Sequence, residues 1–294
     1  MDMAEVIAAG RPKEFAFSDK EFEYLSALIR ERAGIVFTPS KRDLVYARLA
    51  RRLRALRLTS FAQYCDILQD SGPAGEAEIA MAINALTTNF TKFFREPHHF
   101  DFLRREMVPL MFDRARNPSK RVRIWSAGCS TGQEPYTIAV SLREAVPDID
   151  SWDCKILATD IDDNALAKAD AGTYPEDHLS GLSPEQRRTF MQADPARAGN
   201  LMFRPEVRRM ITTRKLNLMG AWPMKGPFQV IFCRNVVIYF DRTTQSRLFG
   251  QMERLLSPEG VLIIGHSESM RGGDTSLVLR GQTIYGRPVP GGAR

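Results

Sequence analysis

Within "RIWSAGCSTGQEPYTIAV", Arg123 to Val140, a carboxylate at Glu134 comes just after two glycines, Gly128 and Gly132. The run starts like a buried strand and finishes like a helix, with Pro135 where a helix's first turn tolerates proline. Glycines at such a turn let the backbone bend sharply and approach a ligand. A dinucleotide site would carry G-x-G-x-x-G, so that helix N–H groups meet a pyrophosphate. The spacing here is G-x-x-x-G, and a glutamate stands where that pyrophosphate would arrive, anion against anion. The turn therefore suits a ligand with positive charge and no phosphate. S-adenosylmethionine, with its α-amino group and sulfonium, is such a ligand.

Asp160 in "KILATDID" ends the next apolar run. An acidic residue there accepts hydrogen bonds from ribose hydroxyls in dinucleotide folds. The competing explanation is that Glu134 and Asp160 cap helices and receive basic neighbours. In "FQVIFCRNVVIYF", Asn235 and Tyr239 follow a further strand-like run. Methyltransferases acting on base amino groups carry Asn/Asp-Pro-Pro-aromatic at that place, and the Asn-Val-Val-Ile-Tyr found here argues against base methylation. Tyr239 is either a hydrogen-bond donor to substrate or a core tyrosine with a satisfied hydroxyl. His98 and His99 are adjacent, so on a helix they cannot form an i,i+4 metal pair, and no metal site is expected. His266 in "GHSES" reads as a structural hydrogen-bonding group at a strand end.

Elements that would hold these residues follow from hydrophobic period. After residues 1–13, which read as frayed, "SDKEFEYLSALIRERAG" gives Ser18 as cap, Glu21 as its capping-box partner and Gly34 as stop. The basic stretch 41–58 is a second helix, with Val45, Leu49, Leu53 and Leu56 on one stripe. Two more helices flank the turn at 71–73, making the first ~85 residues all-helical. Beyond "NFTKFFREPHHF", the runs "VRIWSAG", "CKILATD", "FQVIFCRN" and "GVLIIGHSE" alternate with helical patterns, as in a parallel sheet covered on both faces. "SLVLRGQTIYGR" fits an edge hairpin. Residues 173–212 interrupt the rhythm and read as an inserted subdomain, with strands near Leu201–Phe203 and Val207–Ile211.

Composition is ordinary for a soluble globular protein. The chain has 294 residues, 44% hydrophobic and 26% charged. No apolar run reaches the roughly 18 residues of a membrane span, and the first residues lack a signal-peptide pattern. The four cysteines, Cys65, Cys129, Cys154 and Cys233, have no metal-ligand spacing, so a reduced, cytoplasmic setting is expected. Residues 41–58 hold seven basic side chains and one aspartate, a local excess that equals the formal +6 of the whole chain. Such asymmetry marks a docking surface for something acidic.

Taken together, "LTTNFTKFFREPHHF", "WSAGCSTGQEPYTIA", "ATDID", "FCRNVVIYFD" and "GHSES" resemble the bacterial chemotaxis receptor methyltransferase (CheR-type) family, over nearly the whole chain. The resemblance implies an α/β, Rossmann-like S-adenosylmethionine-dependent methyltransferase fold (100–294). It adds a helical N-terminal domain (1–85), a linker that joins the cofactor site (86–99) and a small inserted antiparallel β-subdomain (173–212). It implies esterification of chemoreceptor glutamates, with S-adenosylhomocysteine as the other product. It implies cofactor contacts from Asn89, Thr91, Arg95, Gly128, Glu134, Asp160, Asn217, Leu218, Arg234 and Asn235. The resemblance also places Arg95 and Tyr239 nearest the transferred methyl. Gln133 stands where many relatives carry another acidic residue.

Transfer to a carboxylate needs little acid–base help, because glutamate, at a reference pKa of ~4.3, is already ionised. Anion and sulfonium lose charge together, so exclusion of water and in-line placement favour the step. Arg95 would orient the carboxylate, unless it is spent on Glu96 or Glu106. Arg48, Arg51 and Arg52 would steer a receptor's acidic helical bundle, while a receptor tail on the inserted subdomain stays open. Three rival classes are disfavoured. An NAD oxidoreductase lacks its glycine fingerprint, a nucleic-acid enzyme lacks interleaved aromatics and the base-methylating motif, and a non-catalytic docking module would not need the pocket residues.

Overall fold

Ser18 opens the first helix, α1 (Asp19–Ala33), through a capping box: its hydroxyl accepts from Glu21 N while the Glu21 carboxylate accepts from Ser18 N at 2.6 Å. Gly34, left-handed at φ 73°, ends it. In the computed structural model, residues 14–87, 89–270 and 275–288 are described. The frayed start expected over 1–13 lies outside them. The chain divides into two compact units, Met1–Thr87 and Thr88–Arg294.

The described residues of the first unit form helices joined by short connections, with no strand among them. α2 (Arg42–Ala55) buries Val45, Leu49, Ala50 and Leu53. Leu56, expected on the same stripe, falls past the last turn and is 37% exposed, because Arg57 turns left-handed at φ 56° and ends the helical period. α3 (Phe61–Gln69) and α4 (Pro73–Leu86) follow, the latter opened by a proline in its first turn. Glu78 on α4 is 7% exposed. Its carboxylate accepts from Arg52 at 2.9 and 2.6 Å and from the Tyr64 hydroxyl at 2.8 Å. Glu78→Ala would strand a half-buried guanidinium and a buried phenol, so urea unfolding should show a loss of about 3 kcal/mol. A loss under 1 kcal/mol would mean the pair relaxes into water.

In the second unit a seven-stranded sheet has the order β6-β2-β1-β7-β8-β10-β9. Its strands are β1 (Arg121–Ala127), β2 (Asp153–Asp160), β6 (Ile211–Lys215), β7 (Phe228–Cys233), β8 (Leu256–Ile264), β9 (Val278–Gly281) and β10 (Ile284–Gly286). The first five named are parallel, and β10 returns antiparallel to β8 as half of the expected hairpin. Ile124, Ile156, Val230 and Ile263 pack with Phe100, Leu103 and Ile138 in the core on one face, and Trp125, Ile231 and Leu262 in that on the other. The chain runs outward from β1 through β2 to β6, then crosses to β7 on the opposite side of β1. That reversal opens a crevice at the carboxyl ends of β1 and β7.

A three-stranded antiparallel sheet, β3 (Thr173–Pro175), β5 (Asn200–Phe203) and β4 (Met191–Ala193), interrupts the larger one in the order β3-β5-β4. The strand expected near Leu201–Phe203 is there. The one expected over Val207–Ile211 is not: Pro205 starts a helical turn, Pro205–Arg208. Ile211 instead begins β6, paired in parallel with Ile156. The small sheet thus ends at Phe203, and Ile211 and Thr212 belong to the main sheet. Among the described residues no helix is long and apolar enough to cross a membrane.

Candidate active site

The turn after β1 is built on backbone. Gly128 N and Cys129 N both donate to Thr159 O of the neighbouring strand, at 2.8 and 2.9 Å. Gly128 sits at φ +76°, and a Cβ there would meet Val236 at 2.3 Å. Gly132, at φ +98°, caps the helix Gln133–Ala145, and its Cβ would strike the Tyr174 hydroxyl at 2.6 Å. Only glycine fits either place.

Asp160 closes β2 at 8% exposure. One carboxylate oxygen accepts from Ser130 N at 2.8 Å and the other from Asp162 N at 3.0 Å. Burial pushes its pKa up against those two amides. Asn89 reaches in from the linker: its amide nitrogen donates to Asp162 at 2.7 Å and its oxygen accepts from Ser130 Oγ at 3.2 Å. Thr91 is half-buried nearby in sequence. Asn217 and Leu218 follow β6, with Asn217 Oδ1 accepting from Met219 N at 2.9 Å and Leu218 buried.

Two of the predicted residues have firm partners within the protein. Glu134 accepts from Ser126 Oγ at 2.6 Å and from Arg234 at 2.9 Å. Burial raises its pKa, with Arg234 opposing. Arg234, its side chain 2% exposed, also faces Glu96 at 3.3 Å, donates to the Arg95 carbonyl and lies over the Phe100 ring. Its charge is spent on two carboxylates, so it holds the site together instead of offering a free cation to a cofactor. Arg95 does not pair with Glu96. It donates to Phe90 O at 2.9 Å and stacks on that ring, whose residue is 71% exposed. Asn235, at φ 60°, donates its N–H to Glu268 at 2.9 Å. Tyr239 is half-buried at the end of the turn Val237–Tyr239.

The arginines expected to dock a partner separate in the same way. Arg51 is exposed, Arg52 is held by Glu78, and Arg48 donates to the carbonyls of Leu86 and Thr87 at 2.5 and 2.9 Å. The outward-facing set is smaller than the charge run suggested.

Sequence reasoning missed three buried groups. Glu268 accepts from Asn235 N, Ile238 N and Gly265 N and so shapes the loop after β7. Its signal was the three-residue spacing from Gly265. Glu96 is gripped by several side chains, treated below. His99 is fully buried, its Nε2 3.1 Å from Gln282 O and 3.0 Å from Thr283 Oγ1. Glu96, His98 and His99 also bring potential ligand atoms within 4.8 Å of one another, a grouping that the helical-spacing argument did not consider. The Arg234 guanidinium already faces that carboxylate, so a second cation would meet repulsion there. A cavity of about 310 Å³ beside Tyr136, Arg208 and Thr213 includes none of the predicted site residues.

Burial, with Arg234 adding repulsion, pushes the His99 pKa down to about 3. Its folded value lies below the unfolded ~6.5, so this contribution is present above pH 6.5 and is lost as pH falls toward 3. Between pH 7 and 5 it amounts to about 2 kcal/mol. Glu134, Asp160 and Glu268, raised by burial, act in the opposite sense. The test is therefore a difference: His99→Gln should reduce the wild-type stability loss between pH 7 and 5 by about 2 kcal/mol in urea melts. An identical loss in both proteins would contradict it.

The residues fit S-adenosylmethionine. Asp160 uses two of a carboxylate's roughly four acceptor sites on backbone, which leaves acceptors for ribose hydroxyls. The glycine turn brings main chain close without a phosphate-binding pattern. Comparison with known proteins agrees. Residues 89–285 match the family described as CheR methyltransferase, SAM binding domain, and residues 20–87 match its all-alpha domain. The chain is 43% identical to the chemotaxis protein methyltransferase of Escherichia coli K12, covering 93% of this chain and 92% of that protein. It is 46% identical to a probable chemotaxis protein methyltransferase of Rhizobium etli, over 83% of this chain and 91% of that one. Chemotaxis protein methyltransferase 2 of Pseudomonas aeruginosa is 42% identical, over 93% and 95%. With both domains matched, and a strand-end site suited to S-adenosylmethionine as cofactor, the chain belongs to the CheR methyltransferase family.

Proposed function

We propose that the protein transfers a methyl group from S-adenosylmethionine to glutamate side chains of chemoreceptors, forming methyl esters used in sensory adaptation. The observation that carries this reading is Arg95. Its contacts are a carbonyl and an aromatic ring, neither of which neutralises it, whereas Arg234 is held between two carboxylates. An un-neutralised guanidinium at the edge of the crevice fits a carboxylate substrate. When bound, the cofactor supplies an electrophilic methyl on a sulfonium. Arg95 orients the incoming carboxylate, Asp160 and Asn89 hold the ribose side of the crevice, and the half-buried Tyr239 adjusts the acceptor's approach. No general base is required, since the acceptor is already ionised.

The acidic receptor bundle would dock on α2 through Arg51, with Arg48 and Arg52 contributing field more than contact. The edge strands of the small sheet offer hydrogen-bonding groups to a receptor tail. The setting is cytoplasmic, where such tails and bundles lie.

Peptide mapping of a receptor cytoplasmic fragment after incubation with enzyme and cofactor tests this. Methylation on glutamates that mild alkali removes is the expected result. An alkali-stable methyl group on any residue would overturn the carboxylate assignment and favour an amine or amide acceptor.

A further inference from the structure

Glu96 lies next to Arg95 and has no assigned part in the reaction. Its carboxylate, 10% exposed, is approached by four side chains from three elements. His266 Nδ1, just beyond β8, is 2.8 Å from Oε1, and Asn235 Nδ2, beyond β7, is 3.4 Å from the same oxygen. Arg234 Nη2 stands 3.3 Å from Oε2, and His99 Nδ1, in the helix that starts at His98, stands 3.4 Å from it.

The backbone at the same place is strained. Phe94 and Glu96 are both left-handed, at φ 51° and 56°, so Arg95 sits between two residues in a conformation that side chains disfavour. Such conformations persist only where the surroundings over-determine them. Phe94 N donates to Thr137 Oγ1 at 3.2 Å, and the Arg95 carbonyl accepts from Arg234. Glu96 supplies the remaining hold, and it is the only member of the turn whose side chain reaches both strand ends.

We propose that Glu96 is a positioning residue, whose carboxylate, clamped by His266, Asn235 and Arg234, fixes the Phe94–Glu96 turn and through it the Arg95 guanidinium. The alternative use of this carboxylate, as a metal ligand with His98 and His99, conflicts with the cation already beside it. The kinetic part of the inference rests on the proposed transfer reaction; the structural part does not.

The experiment pairs hydrogen exchange of full-length protein with methyl transfer to a receptor fragment. In Glu96→Ala, amides of residues 90–96 should exchange at least about tenfold faster, while those of α1 to α4 keep their rates. kcat should fall about 100-fold, the scale of a misplaced orienting group, with KM for the cofactor changed less than about threefold. Glu96→Gln keeps one acceptor oxygen for His266 and Asn235 but turns an amide NH2 toward Arg234, so it should recover part of both losses and fall between wild type and Glu96→Ala. His266→Ala removes one bond from a ring whose side chain is 69% exposed, so folding is safe, and should move both readouts the same way by a smaller factor. Wild-type exchange in Glu96→Ala, or a kcat loss without faster exchange at 90–96, would overturn the proposal. If the wild type itself methylates no glutamate, the functional reading fails while the exchange arm still decides the role of Glu96.

Discussion

Arg234→Met is expected to destabilise the fold by about 3–5 kcal/mol, a large share of a typical domain's net stability. The substitution keeps much of the side-chain volume over Phe100 but removes the cation that Glu134 and Glu96 share. Two half-buried carboxylates would then face each other, and the Arg95 carbonyl would lose its donor. Burial pushes the Glu134 pKa up even with Arg234 present, whereas Glu96 is held down to about 2 because His266 and Arg234 outweigh its burial. Without the guanidinium the pair should titrate as carboxyls with raised folded values. Stability from such groups is present at low pH and lost as pH rises, so the deficit should shrink between pH 7 and pH 5. Urea melts at the two pH values check both points. A loss below 1 kcal/mol, or one that grows on acidification, would show that Arg234 is not the hub.

Asp160→Ala should weaken S-adenosylmethionine binding by about 100-fold or more. Two hydrogen bonds to a charged acceptor contribute about 1.5–3 kcal/mol each, and both would be lost. The amides of Ser130 and Asp162 would also lose their acceptor, loosening the turn that carries Gly128. Asp160→Asn, which keeps one acceptor oxygen, should fall between the two. Titration calorimetry gives the affinity, and the urea midpoint separates a binding defect from loop collapse. Unchanged affinity in Asp160→Ala would place the cofactor elsewhere.

What the sequence made legible was local. Ser18, Glu21 and Gly34 announced α1 because caps act within a few residues. The four apolar runs announced parallel strands, and their ends pointed to the candidate site, because a parallel sheet collects ligands at one edge. Glu96 was considered only as a neighbour of Arg95 because its partners are remote: His266 is 170 residues away and Asn235 139. A charge count on a helix could not show that Glu78 of α4 holds Arg52 within the helical unit. The short run at Val207–Ile211 carries too few residues for a period to decide between strand and helix, and Pro205 settled it for a helical turn.

The most direct measurement is methyl transfer from methyl-labelled S-adenosylmethionine to a chemoreceptor cytoplasmic fragment, scored as methanol released by alkali, with wild type and Asp160→Ala side by side. Label released as methanol by the wild type and lost in the variant is the predicted result. Label that resists alkali, or methanol undiminished in Asp160→Ala, would contradict the account.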